Sequence, residues 1–240
     1  MRPFYQTILS YCSGLIDAVL SVLYPSICLS CDRKVSGENE LFCVHCSYQV
    51  EPTDLFLHEE NSFTQQFKLR VDIERAAALY YYHKAGRIKD MMELLKYKGR
   101  SDIGIRLGLH FGPLLQQSHF LDTIDGIIPV PLHEKKRALR GYNQSELFAQ
   151  GLSDACSIPV FNNVLKRIKE TKTQTEKDRK DRLESMRSSF QLVQIKQAQG
   201  KHLLVVDDIM TTGATLEACA MELMKIPGVK ISFLTIAIGE

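Results

Sequence analysis

The stretch KHLLVVDDIMTTGATLEACAMELMKIPGVKISFLTIAI, residues 201 to 238, limits what this chain can fold into more than any other. An apolar run meets two adjacent aspartates, then threonines around a glycine, then a helical pattern, the breaker Pro227-Gly228 and a second apolar run. The spacing predicts a strand over 202–206, a loop over 207–213, a helix over 214–225 and a strand over 229–238. Strand, helix and strand of these lengths imply a right-handed crossover between parallel strands, so the expected class is α/β.

In an open parallel sheet, ligands sit beyond the C-terminal ends of the strands. Asp207 and Asp208 fall there, and the TTGAT that follows opens a helix whose free N–H groups and positive dipole end suit a phosphate. Gly213 permits close backbone approach, while Thr211, Thr212 and Thr215 add hydroxyls. Carboxylates that accept from vicinal hydroxyls, beside a phosphate cradle, match a ribose 5-phosphate. The strand with its paired aspartates also suits the magnesium strand of a P-loop NTPase, but the chain contains no G-x-x-x-x-G-K-[ST]. A simple capped helix needs one Asp or Thr and gains nothing from the whole series.

Upstream, residues 51–70 read as a polar connector and 76–82 as a strand. Ile88, Met91, Met92 and Leu95 form the stripe of a helix stopped by Gly99, and a second helix is predicted over 102–115. TIDGIIPVPLH (123–133) reads as a short buried strand, followed by a helix that Asn143 or Ser145 can cap. Residues 166–187 are unusually polar and read as a solvated helix face or a mobile loop, and SFQLVQI after them as a strand.

Seven cysteines occur in the 240 residues. CLSC at 28–31 and CVHC at 43–46 place Cys28, Cys31, Cys43 and Cys46 around an eleven-residue polar segment. Two such turns close a tetrahedral zinc site with no position left for water, which predicts a structural zinc ribbon over residues 1–50. The odd count and the paired spacing fit a reducing cytoplasm better than a secreted disulfide framework. Cys12, Cys156 and Cys219 sit in apolar helical contexts as packing residues. The apolar stretch before the ribbon has helical spacing but is interrupted by Asp17, so it reads as an amphipathic docking helix, or simply a core helix, rather than a stable membrane insertion. The expected location is the cytoplasm, with that helix offering contact at the periphery of the inner membrane. The net charge of +2 leaves any basic surface to be local.

LLVVDDIMTTGAT resembles the phosphoribosyl pyrophosphate (PRPP) signature of type I phosphoribosyltransferases. The four-cysteine ribbon, PVPLHEKKRALRGYNQSELFA and LKRIKETKTQTEKDRKDRLESMRSSF are similar to the ComF/GntX-like branch of that superfamily. The resemblance implies a type I phosphoribosyltransferase fold over 51–240. It places Asp207 and Asp208 on the ribose hydroxyls and Thr211, Thr212, Gly213, Ala214 and Thr215 around the 5-phosphate. Pro129, Val130 and Pro131 lie where the superfamily has its pyrophosphate loop, and Arg137, Arg140, Asn143 and Gln144 match the branch's R..RG.NQ element. Residues 166–187 correspond to the flexible loop, with Arg167, Thr171, Gln174 and Arg182 at branch positions, while Ser185 stands where the branch usually has Asn. Asp207, Asp208, Arg167 and Arg182 are the catalytic candidates, with Mg2+ accompanying PRPP. Lys96, Lys98 or Arg100 could stabilise the leaving pyrophosphate, or equally form a solvated helix end.

Three functions are compatible with this resemblance. One is a phosphoribosyltransferase with a nitrogen-base, amine or ammonia acceptor. Another is a competence factor handling single-stranded DNA with a helicase-like translocation partner, using the cluster of Lys135, Lys136, Arg137, Arg140 and Tyr142. The third is a non-catalytic PRPP sensor.

Overall fold

The computed structural model describes residues 26–35, 37, 40–169 and 189–239. The N-terminal amphipathic stretch with Cys12, and Thr171, Gln174, Arg182 and Ser185, lie outside the described residues. Two compact units are present, one ending at Gln49 and the other starting at Val50.

In the first unit an antiparallel bridge between Ile27 and Lys34 closes one turn, and helix α1 (Val44–Ser47) forms the other. The second unit carries strands β1 (Ala76–Tyr82), β2 (Gly126–Pro129), β3 (Leu165–Arg167), β4 (Phe190–Leu192), β5 (His202–Met210) and β6 (Lys230–Gly239). Its helices are α2 (Ser62–Lys68), α3 (Arg87–Tyr97), α4 (Asp102–Gln117), α5 (Glu134–Arg140), α6 (Gln144–Cys156) and α7 (Ala214–Leu223). The sheet order is β1-β6-β5-β2 with every neighbouring pair parallel, and β3 and β4 form a separate antiparallel ribbon. Continuous burial along the first half of β5 and most of β6 is the pattern of a sheet covered on both faces. No helix among the described residues is long and apolar enough to cross a membrane.

Two expectations are corrected. β5 does not stop at Val206: the longer β6 continues its ladder, pairing Asp207 with Thr235, Ile209 with Ala237 and Met210 with Ile238. The two aspartates are therefore strand residues, fixed by backbone pairing, and the loop shrinks to 211–213. Residues 51–70 are not a bare connector. Asn61 caps α2 by accepting from the Thr64 N–H (2.8 Å), and its Nδ2 donates to Leu55 O and Ala76 O. Phe63 and Phe67, one helical turn apart, are fully buried, and Phe67 packs edge-on to Phe233 at 4.8 Å. A seven-residue helix is marginal alone, but burying each ring contributes roughly 1.5–3 kcal/mol, so docking decides its conformation.

A glycine seam joins α4 to α6. A Cβ at Gly108 would lie 2.4 Å from Leu152 N, and one at Gly151 2.2 Å from Ile105 O, so the helices meet backbone to backbone. This close contact positions the N-terminus of α6 against the end of β5.

Candidate functional site

In the first unit the sulfurs of Cys28, Cys31, Cys43 and Cys46 all lie within 4.8 Å of one another, and those of Cys31 and Cys43 are 3.7 Å apart. A zinc ion at about 2.3 Å from each of four tetrahedral sulfurs requires S···S separations of about 3.8 Å, so the cluster can hold zinc. Burial pushes the Cys46 thiol up to about 12 and raises Cys31, whereas the Cys46 backbone N–H lowers Cys43 to about 7. A cation binding here displaces those protons. His45 turns toward Gln49 at 3.4 Å and does not join the cluster.

In the second unit, polar chemistry converges on the C-terminal end of β5. Asn143 caps α6, accepting from the Ser145 N–H (3.2 Å), and its Nδ2 donates to Val130 O (2.9 Å). The Val130 N–H donates to Val206 O (2.9 Å). The chain leaving β2, the start of α6 and the end of β5 are thereby stitched together. Ser145 Oγ donates to Asp207 Oδ1 (3.1 Å), and Lys96 Nζ, near the end of α3, lies 2.8 Å from Asp208 Oδ2. The Lys96 and Asp208 side chains are only 18% and 17% exposed. Burial first, and the adjacent Asp208 charge second, push the Asp207 carboxyl up to about 7 against the pull of Lys96 and Ser145. Near neutrality the pair therefore carries less than two negative charges, and Lys96 offsets that of Asp208.

The loop after β5 exposes Thr211 and Thr212, and Gly213 caps α7 with φ +77°. A Cβ at Gly213 would meet the Phe67 ring at 2.6 Å, so both the backbone angle and the floor beneath it require glycine. Arg70 Nη1 donates to Thr212 O (3.1 Å). The first N–H groups of α7 lack intrahelical acceptors, which makes the loop a natural anion cradle.

A family model described as "Phosphoribosyl transferase domain" matches residues 143–238. Competence protein F of Haemophilus influenzae is 38% identical over 112 residues, 46% of this chain and 49% of that protein. DNA utilization protein YhgH of Salmonella typhimurium is 30% identical over 138 residues, 56% and 60% of the two chains. The chain is thus similar to ComF-like competence proteins and carries a phosphoribosyltransferase domain over residues 143–238. It spans about half to three-fifths of the length of these curated relatives. Adenine phosphoribosyltransferase from Saccharomyces cerevisiae has 15% identity and a TM-score of 0.38 over 74% of this chain and 88% of that one, too distant a likeness to bear on the site.

The residues singled out from this ComF-like sequence are brought together only in part. Asp207, Asp208, Val130, Pro131, Asn143 and the loop Thr211–Thr215 surround the end of β5. Arg140 and Gln144 pair with each other (3.0 Å), and the Arg140 guanidinium lies over the Tyr97 ring at 5.2 Å. Arg137 turns outward to Glu146 (2.7 Å). Arg167 sits in the β3–β4 ribbon over the Phe190 ring at 5.3 Å. Of the three basic candidates at the end of α3 and just beyond it, Lys96 reaches the carboxylates, while Arg100 is held in a fork by Asp102 (2.7 and 2.9 Å). Tyr142 is tied through its hydroxyl to Leu95 O (2.6 Å), so the exposed aromatic of the basic rim is Tyr97 instead. Ser145 was legible only as a cap. Arg70 and Phe67 carried no signal, because the stretch that holds them reads as a connector.

Proposed function

We propose that this protein binds PRPP at the C-terminal end of β5 and acts as a phosphoribosyltransferase on a nitrogen nucleophile. The observation that carries the reading is the strand-borne pair Asp207–Asp208, with Lys96 on one side and the glycine-floored loop 211–215 on the other. Asp207 and Asp208 accept from the ribose hydroxyls, and Thr211, Thr212, Gly213, Ala214 and Thr215 surround the 5-phosphate. Val130 and Pro131, beside the aspartates, line the diphosphate side with Arg140, Asn143 and Gln144 at its rim. Arg167, in the β3–β4 ribbon, is the remaining catalytic candidate among the described residues. Mg2+, bound with PRPP, would offset the negative charge of the diphosphate. The protein holds ribose and diphosphate in a fixed relation while the bond from the anomeric carbon to pyrophosphate breaks and the bond to nitrogen forms. The four-cysteine unit, read as a separate domain over 1–50, holds a structural zinc, and cysteines kept reduced for a metal suit a cytoplasmic location.

Calorimetric titration of PRPP with Mg2+ into the zinc-loaded protein tests the site. Micromolar binding is expected, together with slow release of pyrophosphate once an acceptor is supplied. An absence of binding sinks the assignment, and binding without turnover for any nitrogen acceptor reduces it to a sensor.

A second reading, the handling of single-stranded DNA, is favoured by one surface. α5 has no buried residue and carries Lys135, Lys136, Arg137 and Arg140, with Tyr97 65% exposed beneath the Arg140 guanidinium. A guanidinium over an open ring, among further cations, is a stacking platform for bases. The names of the relatives point the same way, and a helicase-like partner would be consistent with them. Oligonucleotide affinity should fall steeply with salt and weaken in Tyr97→Ala; insensitivity to both would remove this reading.

A further inference from the structure

We propose that Arg70 is a positioning residue for the phosphate loop, fixing the Thr212–Gly213 peptide so that the Gly213 N–H faces the ligand. The inference rests on the reading of 211–215 as the phosphate cradle, and adds to it a residue from outside the segment matched by the family model. Arg70 follows α2, and its Nη1 crosses 142 positions of sequence to donate to Thr212 O at 3.1 Å. The peptide is planar and trans, so its carbonyl and the next N–H point in opposite directions. Drawing Thr212 O toward Arg70 therefore turns the Gly213 N–H away from Arg70.

The two sides of the loop differ. Beneath it lie the buried Phe67 ring, which touches the position of a Gly213 Cβ, and Arg70 itself, stacked over that ring at 5.6 Å. On the other side Thr211 and Thr212 are exposed. The N–H consequently points to the open side, where an anion enters.

A lock is needed because glycine tolerates both peptide orientations. A flipped Thr212–Gly213 peptide would present a carbonyl oxygen to the phosphate in place of a donor. Arg70 also answers a second problem. Glu217, in the first turn of α7 and 3% exposed, places a carboxylate under a site meant for an anion. Arg70 Nη1 lies 3.7 Å from Glu217 Oε2, which offsets that charge.

The test separates the two ends of the ligand. Ribose 5-phosphate and Mg-pyrophosphate are titrated separately into wild type, Arg70→Ala and Arg70→Lys, with the Gly213 amide followed by 1H–15N spectroscopy. Losing one hydrogen bond to a charged group predicts that Arg70→Ala weakens ribose 5-phosphate by about tenfold or more, with Mg-pyrophosphate unchanged. Arg70→Lys, which keeps the charge but not the planar guanidinium, should fall between. The Gly213 amide should shift on ligand addition in wild type and lose that response in Arg70→Ala. Equal weakening of both ligands would mean a merely structural role and overturn the proposal, as would unaltered ribose 5-phosphate binding. A wild-type protein that binds neither ligand overturns the PRPP reading as well, so the two failures are distinguishable.

Discussion

The two ends of β5 solve the burial of polar groups in opposite ways. At its start, His202 is 7% exposed, and every polar group it has is matched. Its N–H donates to Asp125 Oδ2 (2.8 Å), Nδ1 meets Thr123 Oγ1 and Nε2 meets Ser232 Oγ, each at 2.9 Å. Burial lowers its pKa from the ordinary value, which keeps the ring neutral between two hydroxyls that can each donate or accept. At the other end, Asp207 and Asp208 stand side by side, one raised to about 7 and the other neutralised by a lysine from α3. Both ends take polar groups largely out of water and hydrogen-bond them, so burial of polar groups does not mark function here. The mark is electrostatic imbalance: at the first end each polar group of His202 has its partner, whereas the second holds like charges together, which a ligand rich in hydroxyl donors would relieve.

If that contrast is right, the ends should dissociate under mutation. Asp207→Asn with Asp208→Asn should cost PRPP affinity about a hundredfold or more, the loss of two hydrogen bonds to charged groups. The same variant should still unfold in one cooperative thermal transition, since the backbone pairing of β5 with β6 is untouched. Retained PRPP binding would contradict the placement of the ribose. His202→Ala should do the reverse. It leaves the Thr123 and Ser232 hydroxyls without their partner and opens a cavity, so denaturant titration should show a loss of about 2–4 kcal/mol. PRPP affinity should be unchanged. A His202 variant that lost binding at full stability would erase the distinction between the ends.

What could be read in advance follows from how locally each feature is encoded. The crossover from β5 through α7 to β6, the diacid and the loop occupy one continuous stretch, so apolar runs and turn chemistry suffice to read them. The doubled C-x-x-C is equally local, and its sulfurs converge as the spacing requires. The end of β5 was misread because the ladder that extends it is supplied by β6, some thirty residues later. α2 was missed because its evidence is two phenylalanines, meaningful only once Phe233 is packed against one of them. The Arg70 contact with Thr212 lies wholly in tertiary structure, and no local pattern announces it. Tyr142 and Tyr97 show the same limit: both flank basic residues, and only the fold decides which ring is spent on a carbonyl and which stays open.

The subtlest consequence concerns pH, and it bears on the same contrast. Asp207 is raised from the ordinary 3.8 to about 7, so between about pH 4 and pH 7 the folded protein keeps a proton that the unfolded chain has released. Its contribution to stability is therefore present below pH 4, is lost as pH rises through 7, and is flat above. Binding has the opposite sign, because ribose hydroxyls donate to the ionised carboxylate. The Asp207 contribution to PRPP affinity should rise by about tenfold from pH 6 to pH 8. PRPP's own phosphates titrate in that range too, so the informative quantity is the difference between wild type and the single variant Asp207→Asn, in which ligand ionisation cancels. The difference should vanish at the acidic end and open toward pH 8, while His202→Ala, at the opposite end of β5, leaves Asp207 untouched and retains the wild-type profile. A parallel pair of profiles for wild type and Asp207→Asn would mean that Asp207 is already ionised across the range, and that the imbalance at this end of β5 is carried by Asp208 and Lys96 alone.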